Sequence, residues 1–144
     1  MEQWQRLIVA GNKAFHTGNN TEAEIHYRDA SRSARQMIDC WFDTEGAINA
    51  LVVTDLNLAE CQCRMGCFEQ AIDTYSSLSL DLRKFQLSFA PSNPIVGMVA
   101  RALTQIKKEF LTLTQTYAYD ILQVREAPVV SAPRSSTSAI TSAS

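Results

Sequence analysis

The chain has 144 residues, 46% hydrophobic and 19% charged, which is the composition of an ordinary globular protein of one domain. Thirteen Lys and Arg against fifteen Asp and Glu leave a formal charge of −2, too near neutral for a general attraction to phosphate backbones, so nucleic acid is not an expected partner. No apolar run approaches the ~20 residues that span a bilayer, and Met1-Glu2-Gln3-Trp4-Gln5-Arg6 lacks the basic and apolar regions of a signal peptide, so the sequence predicts a cytoplasmic protein with no membrane partner.

Helical apolar spacing runs from the start of the chain. Leu7, Ala10, Ala14 and Phe15 form the stripe of a first helix that ends before Gly18. Ala23, Tyr27, Ala30, Ala34, Met37 and Ile38 form that of a second, running on to Trp41, with a softer break at Asp43-Thr44. Ile48, Leu51, Leu58 and Met65 mark a third helix, and Gly66 stops it. Phe68, Ala71, Ile72, Tyr75, Leu78 and Leu82 mark a fourth, ended by the Pro91–Pro94 stretch. Asn93 is the expected N-cap of a fifth helix, with Pro94 at the first helical position, where its missing N–H costs nothing. No segment shows sustained period-2 alternation, so the predicted class is all-α: antiparallel helical hairpins with elongated second and third helices and a C-terminal capping helix.

That last helix is predicted over residues 95–126, about 48 Å at 1.5 Å per residue. The second and third, at about 22 residues each, reach only about 33 Å. Its apolar stripe continues through Phe110, Leu113, Tyr117, Ile121 and Val124. Such a face does not stay in water, so these five residues are the expected interface of a homodimer or of a partner helix. The alternative is cover from the long second and third helices within the monomer. The helical domain is thus predicted over 1–126. Residues 127–144 hold eight Ser or Thr, two Pro and a single charge, Arg134, and are predicted to form a disordered tail.

Signatures of catalysis are missing from this pattern. Cys61 and Cys63 point about 200° apart on a helix, Cys63 and Cys67 have no second pair to complete a tetrahedral zinc site, and Cys40 stands apart, so the cysteines are expected to be reduced. His16 and His26 lack the four-residue spacing of a helical metal site, and His26 with Glu22 one turn before it suits a solvated face. Five scattered glycines build no phosphate loop, and Ser31 and Ser33 sit on no strand-to-helix elbow. No enzyme activity, cofactor or metal is expected.

An internal repeat is present. Gly18-x4-Ala23-x3-Tyr27 returns as Gly66-x4-Ala71-x3-Tyr75, and a small residue stands seven positions before each glycine, Gly11 in one copy and Ala59 in the other. Glycine turns the chain, alanine lets two helices approach, and the aromatic fills the space one turn later. In this the sequence resembles the tetratricopeptide repeat (TPR) family, over Gly11–Ala30 and again over Leu58–Leu78. The period of 48 departs from the family's 34, and the excess fits as added length in the second and third helices, about Ser31 to Thr54. No third copy is visible.

The resemblance implies a non-catalytic adaptor or chaperone that binds a peptide or protein segment on a concave surface lined by the first helix of each pair. Helical spacing gives the candidate residues: Gln5, Val9, Asn12 and His16 on the first helix, and Val53, Asn57, Glu60 and Arg64 on the third. In one TPR subgroup, asparagines at the positions of Asn12 and Asn57 clamp a terminal carboxylate with the help of lysine and arginine. Here Ile8 stands at the lysine position, so that clamp lacks a charge unless Arg101 or Lys108 supplies it. A self-associating helical module without a peptide ligand is the alternative.

Overall fold

The structure is a computed structural model that describes residues 1–40 and 43–117. Five helices follow one another: α1 (Glu2–His16), α2 (Asn20–Cys40), α3 (Thr44–Arg64), α4 (Phe68–Leu87) and α5 (Pro94–Thr116). The described residues contain no strand. Among them, no helix is long and apolar enough to cross a membrane.

Local chemistry sets the boundaries. Gly18 (φ 83°) and Gly66 (φ 79°) take the left-handed conformation that side chains disfavour. Each closes the same hydrogen-bonded stop: Gly18 N–H donates to Phe15 O (3.2 Å) and Asn19 N–H to Ala14 O (2.9 Å), while Gly66 N–H donates to Cys63 O (3.0 Å) and Cys67 N–H to Gln62 O (2.8 Å). The repeat seen in the sequence is therefore a repeated helix terminus. The starts of α2, α3 and α5 are capped by side chains. Asn19 Oδ1 accepts from Glu22 N–H (3.2 Å), Asp43 Oδ1 from Gly46 N–H (2.9 Å) and Asn93 Oδ1 from Ile95 N–H (2.9 Å).

Each helix packs on the one before it, and α5 returns onto α3 as well as α4. That makes α3 the central element, with twelve of its 21 residues buried. Ile48, Leu51 and Val52 of α3 meet Leu78 and Leu82 of α4 and Val99 and Ile106 of α5 in the main core. Ile8 and Ala14 of α1 meet Ala23 and Tyr27 of α2 and Leu58 and Cys61 of α3 in a second cluster. Trp4 pins the start of α1 to α3, its indole N–H donating to Thr54 Oγ1 at 2.7 Å.

Ala59, Cys63 and Ala71 form a third cluster where α3 and α4 come close. Ala71 is 1% exposed, so Ala71→Leu must push the helices apart, at an expected cost of about 1–3 kcal/mol. A thermal melt coinciding with the parent's would show that this contact has slack.

The fifth helix is described as far as its C-cap. It ends at Thr116, and Tyr117 is its C-cap, donating its N–H to Leu113 O at 3.1 Å. The expected continuation to residue 126, with Ile121 and Val124, and the 127–144 tail lie outside the described residues. Phe110, Leu113 and Tyr117 turn inward. They are half-buried against the Ala59–Cys63–Ala71 cluster, and Phe110 stacks on Tyr75 with ring centroids 4.3 Å apart. Three of the five residues expected at an interface are thus covered by α3 and α4 of the same chain.

Candidate functional site

Between α1 and α3 lies a cavity of about 370 Å³, lined by Asn12, Phe15, His16, Tyr27, Asn57 and Glu60. Four of the eight sequence-derived groove residues are in that lining: Asn12, His16, Asn57 and Glu60. Gln5 and Val9 continue the Asn12 face toward the start of α1, and Val53 continues the Asn57 face on α3. Val9 is 64% exposed and Val53 44% exposed, so each helix presents a free aliphatic side chain beside the polar centre.

That centre is a three-residue network. Tyr27 Oη donates to Asn12 Oδ1 at 2.7 Å, and Asn57 Nδ2 donates to the same oxygen at 3.3 Å. Two donors use both lone pairs of Asn12 Oδ1. Among the described residues, the Asn12 amide N–H groups and the Asn57 Oδ1 acceptor carry no hydrogen bond. A donor and an acceptor side by side match the N–H and C=O of an extended peptide. His16 Nδ1 lies 2.6 Å from Asn12 O, and because a carbonyl only accepts, the imidazole proton is assigned to Nδ1. Burial, with Cys61 and Glu60 nearby, pushes the Tyr27 phenol up to about 12, although Arg64 opposes it, so Tyr27 stays a neutral donor.

Arg64 does something else. Its guanidinium lies 3.5 Å over the Phe15 ring and donates to Phe15 O at 2.9 Å, with Asn20 Oδ1 at 3.5 Å. It is a second donor to a carbonyl at the end of α1 that already accepts from Gly18 N–H, and it ties α3 to the α1–α2 turn. The sequence placed it in the groove as a ligand contact. In the structure it is a clamp between helices.

The carboxylate clamp also lacks its cation where the resemblance would put one. Ile8 is buried at 7% exposure, packed with Tyr27 and Leu58, and does not face the groove. Arg101 and Lys108 are exposed on α5, which packs on α3 and α4. Sequence reasoning missed Phe15 and Tyr27 as lining residues, having assigned both to the hairpin core. The available signal was the tyrosine itself, since a buried phenol needs a partner for its hydroxyl.

The thiols are spread over different surroundings. Burial pushes Cys61 and Cys63 up to about 11, and Cys67 is raised by burial as well. Cys40 is exposed. With a thiol-specific reagent near neutral pH, Cys40 is expected to react promptly, and Cys61 and Cys63 only as the chain unfolds, because the thiolate is the nucleophile. Mass spectrometry of the labelled peptides checks this; early labelling of Cys61 would mean that α3 opens locally. Among the described residues, no group of three or more His, Cys, Asp and Glu side chains could hold a metal ion.

The family described as "Protein of unknown function (DUF2753)" matches residues 2–130. The chain belongs to the DUF2753 family. The match covers all five helices and thirteen residues past Tyr117, so the groove lies wholly within the family's extent. No curated protein and no solved structure matches the chain.

Proposed function

We propose that this chain is a TPR-like, non-catalytic adaptor or chaperone-like module of the cytoplasm that holds a peptide or protein segment along the groove between α1 and α3. The observation that carries this reading is the groove's composition. An amide donor and acceptor that find no partner among the described residues sit at its centre, and exposed Val9 and Val53 sit beside them. Apolar anchors with a few placed polar groups are what a recognition surface uses. The TPR-like part is supported by the identical stops at Gly18 and Gly66, by Gly11 lying under the Tyr27 ring, and by the close approach of Ala59 and Ala71.

The test begins with peptides selected from a random display library on the pure full-length chain. Val9→Asp with Val53→Asp is expected to abolish binding of the selected peptides. Its melt should stay close to the parent's, since exposed substitutions usually change stability by no more than about 0.5 kcal/mol. Peptides that bind the parent and the double variant equally would sink the groove reading. Arg64→Ala is not a clean probe, because losing the Phe15 contacts alters the fold itself.

A further inference from the structure

A second cavity, of about 430 Å³, lies on the opposite face of α3, between α2 and α4. Its volume falls in the range of small-molecule sites, about 300–1,000 Å³. Its lining is unlike that of most such sites, because Leu58 is the only apolar residue in it. One wall is α2, which sets Arg28, Arg32 and Arg35 on one face at i, i+4 and i+7. The other wall is α4, with Gln70, Asp73 and Thr74.

The floor is where this cavity departs from ordinary surface. Four buried side chains among the described residues are polar or charged, and three of them, Ser31, Asp55 and Gln62, line it. Apolar residues of similar size would cost the fold less there. Asp55 is 3% exposed; its Oδ2 lies 3.2 Å from Arg35, and its Oδ1 meets no hydrogen-bond donor among the described residues. Gln62, turned to satisfy its neighbours, donates to Thr74 Oγ1 (2.8 Å) and Gln70 O (3.2 Å) and accepts from Arg28 (3.3 Å), so the two walls are joined through the floor.

The arginines differ in how they are held. Arg35 bridges Asp55 and Asp81 and is fixed between α3 and α4. Arg32 pairs with Asp29 of its own helix at the surface, while Arg28, half in water, pairs with Glu24 of its own helix and reaches Gln62 in the floor. Surface pairs of this kind are worth little and exchange readily for a better anion. A guanidinium binds phosphate or carboxylate through two parallel N–H bonds.

We propose that the α2–α4 cavity binds a small organic anion that also carries hydroxyl groups, its charge on Arg28 and Arg32 and its hydroxyls on the α4 wall and the floor. The scarcity of apolar lining points away from a lipid chain or an aromatic ring. The carboxylate of Asp73, the amide of Gln70 and the under-satisfied Asp55 suit a partner rich in O–H donors. This site is independent of the α1–α3 groove.

Isothermal titration calorimetry of the full chain tests it with glucose phosphate and with gluconate, which separate a phosphate from a carboxylate as the recognised anion. At least one of the two is expected to bind saturably, and glucose and inorganic phosphate much more weakly. Arg28→Gln with Arg32→Gln is expected to weaken that binding about tenfold or more, a change of about 1.4 kcal/mol or more in binding free energy. Both arginines are exposed, so the melt should be preserved and a loss of binding read as loss of the site. The proposal is overturned if neither polyol binds at millimolar concentration or if binding survives the double substitution. It is overturned equally if inorganic phosphate binds as tightly as glucose phosphate, because the hydroxyls would then contribute nothing.

Discussion

Truncation of Tyr27 to alanine is expected to lower stability by about 3–5 kcal/mol, the range for removing a buried aromatic ring. Tyr27 is 1% exposed and fills the junction of α1, α2 and α3, so the void cannot collapse without moving three helices. Gly11 explains why the ring fits. A Cβ on Gly11 would stand 2.6 Å from Tyr27 Cε1 and 2.7 Å from Cδ1, far inside normal contact. Gly11→Ala in the parent chain therefore sets a helix-propensity gain of about 0.5–1 kcal/mol against an overpacking cost of about 1–3 kcal/mol, and overpacking wins. Once Tyr27 is alanine, only the gain remains, so the same Gly11→Ala change should become stabilising. Urea unfolding of the four chains measures this reversal of sign. Strict additivity would mean that Gly11 and Tyr27 do not confront each other.

Helix count and most boundaries were legible in the sequence because they are set by neighbours in the chain. Gly18, Gly66, Asp43, Asn93 and Pro94 act on backbone groups within a few residues of themselves, and each one marks an end where the spacing predicts it. For α5 no glycine or proline lies near Tyr117, and the apolar spacing runs on past it, beyond the described residues.

Depth was legible only in part. Phe110, Leu113 and Tyr117 read as an apolar stripe, but a stripe does not say which surface covers it, and here that surface is the Ala59–Cys63–Ala71 side of the same chain. The polar groove residues Asn12, His16, Asn57 and Glu60 were found because a polar face at helical spacing is itself a pattern. Asp55 and Gln62 were missed for the converse reason. They read as surface, yet α3 is packed by α2, α4 and α5, and its polar residues go inside with it. A helix buried on several sides loses the contrast on which amphipathic reading depends.

Arg35→Ala is expected to be the costliest change on that side of α3. Removing one partner of a buried ion pair usually costs about 3–5 kcal/mol, and because Arg35 keeps part of its surface in water the lower end applies here. The cost should depend on pH, and its sign follows from Asp55. Burial raises the Asp55 carboxyl above its ordinary 3.8, with Arg35 the strongest opposing influence and Asp81 adding to the rise. The folded chain therefore holds the Asp55 proton more tightly than the unfolded chain does. From pH 3.8 up to that raised value, the folded state carries more protons, and stability falls as pH rises. Without Arg35 the carboxyl is raised further and the window extends upward. Arg35→Ala should then be nearly silent in acid, where a neutral Asp55 needs no counter-charge, and most damaging near neutrality. Urea unfolding from about pH 4 to about pH 8 reads this directly. Asp55→Asn in the Arg35→Ala background should remove the slope, because no titrating group is left in the floor. A cost that is flat across the range, with or without Asp55, would show that Arg35 stabilises the fold by packing its aliphatic stem and not by balancing the buried carboxylate.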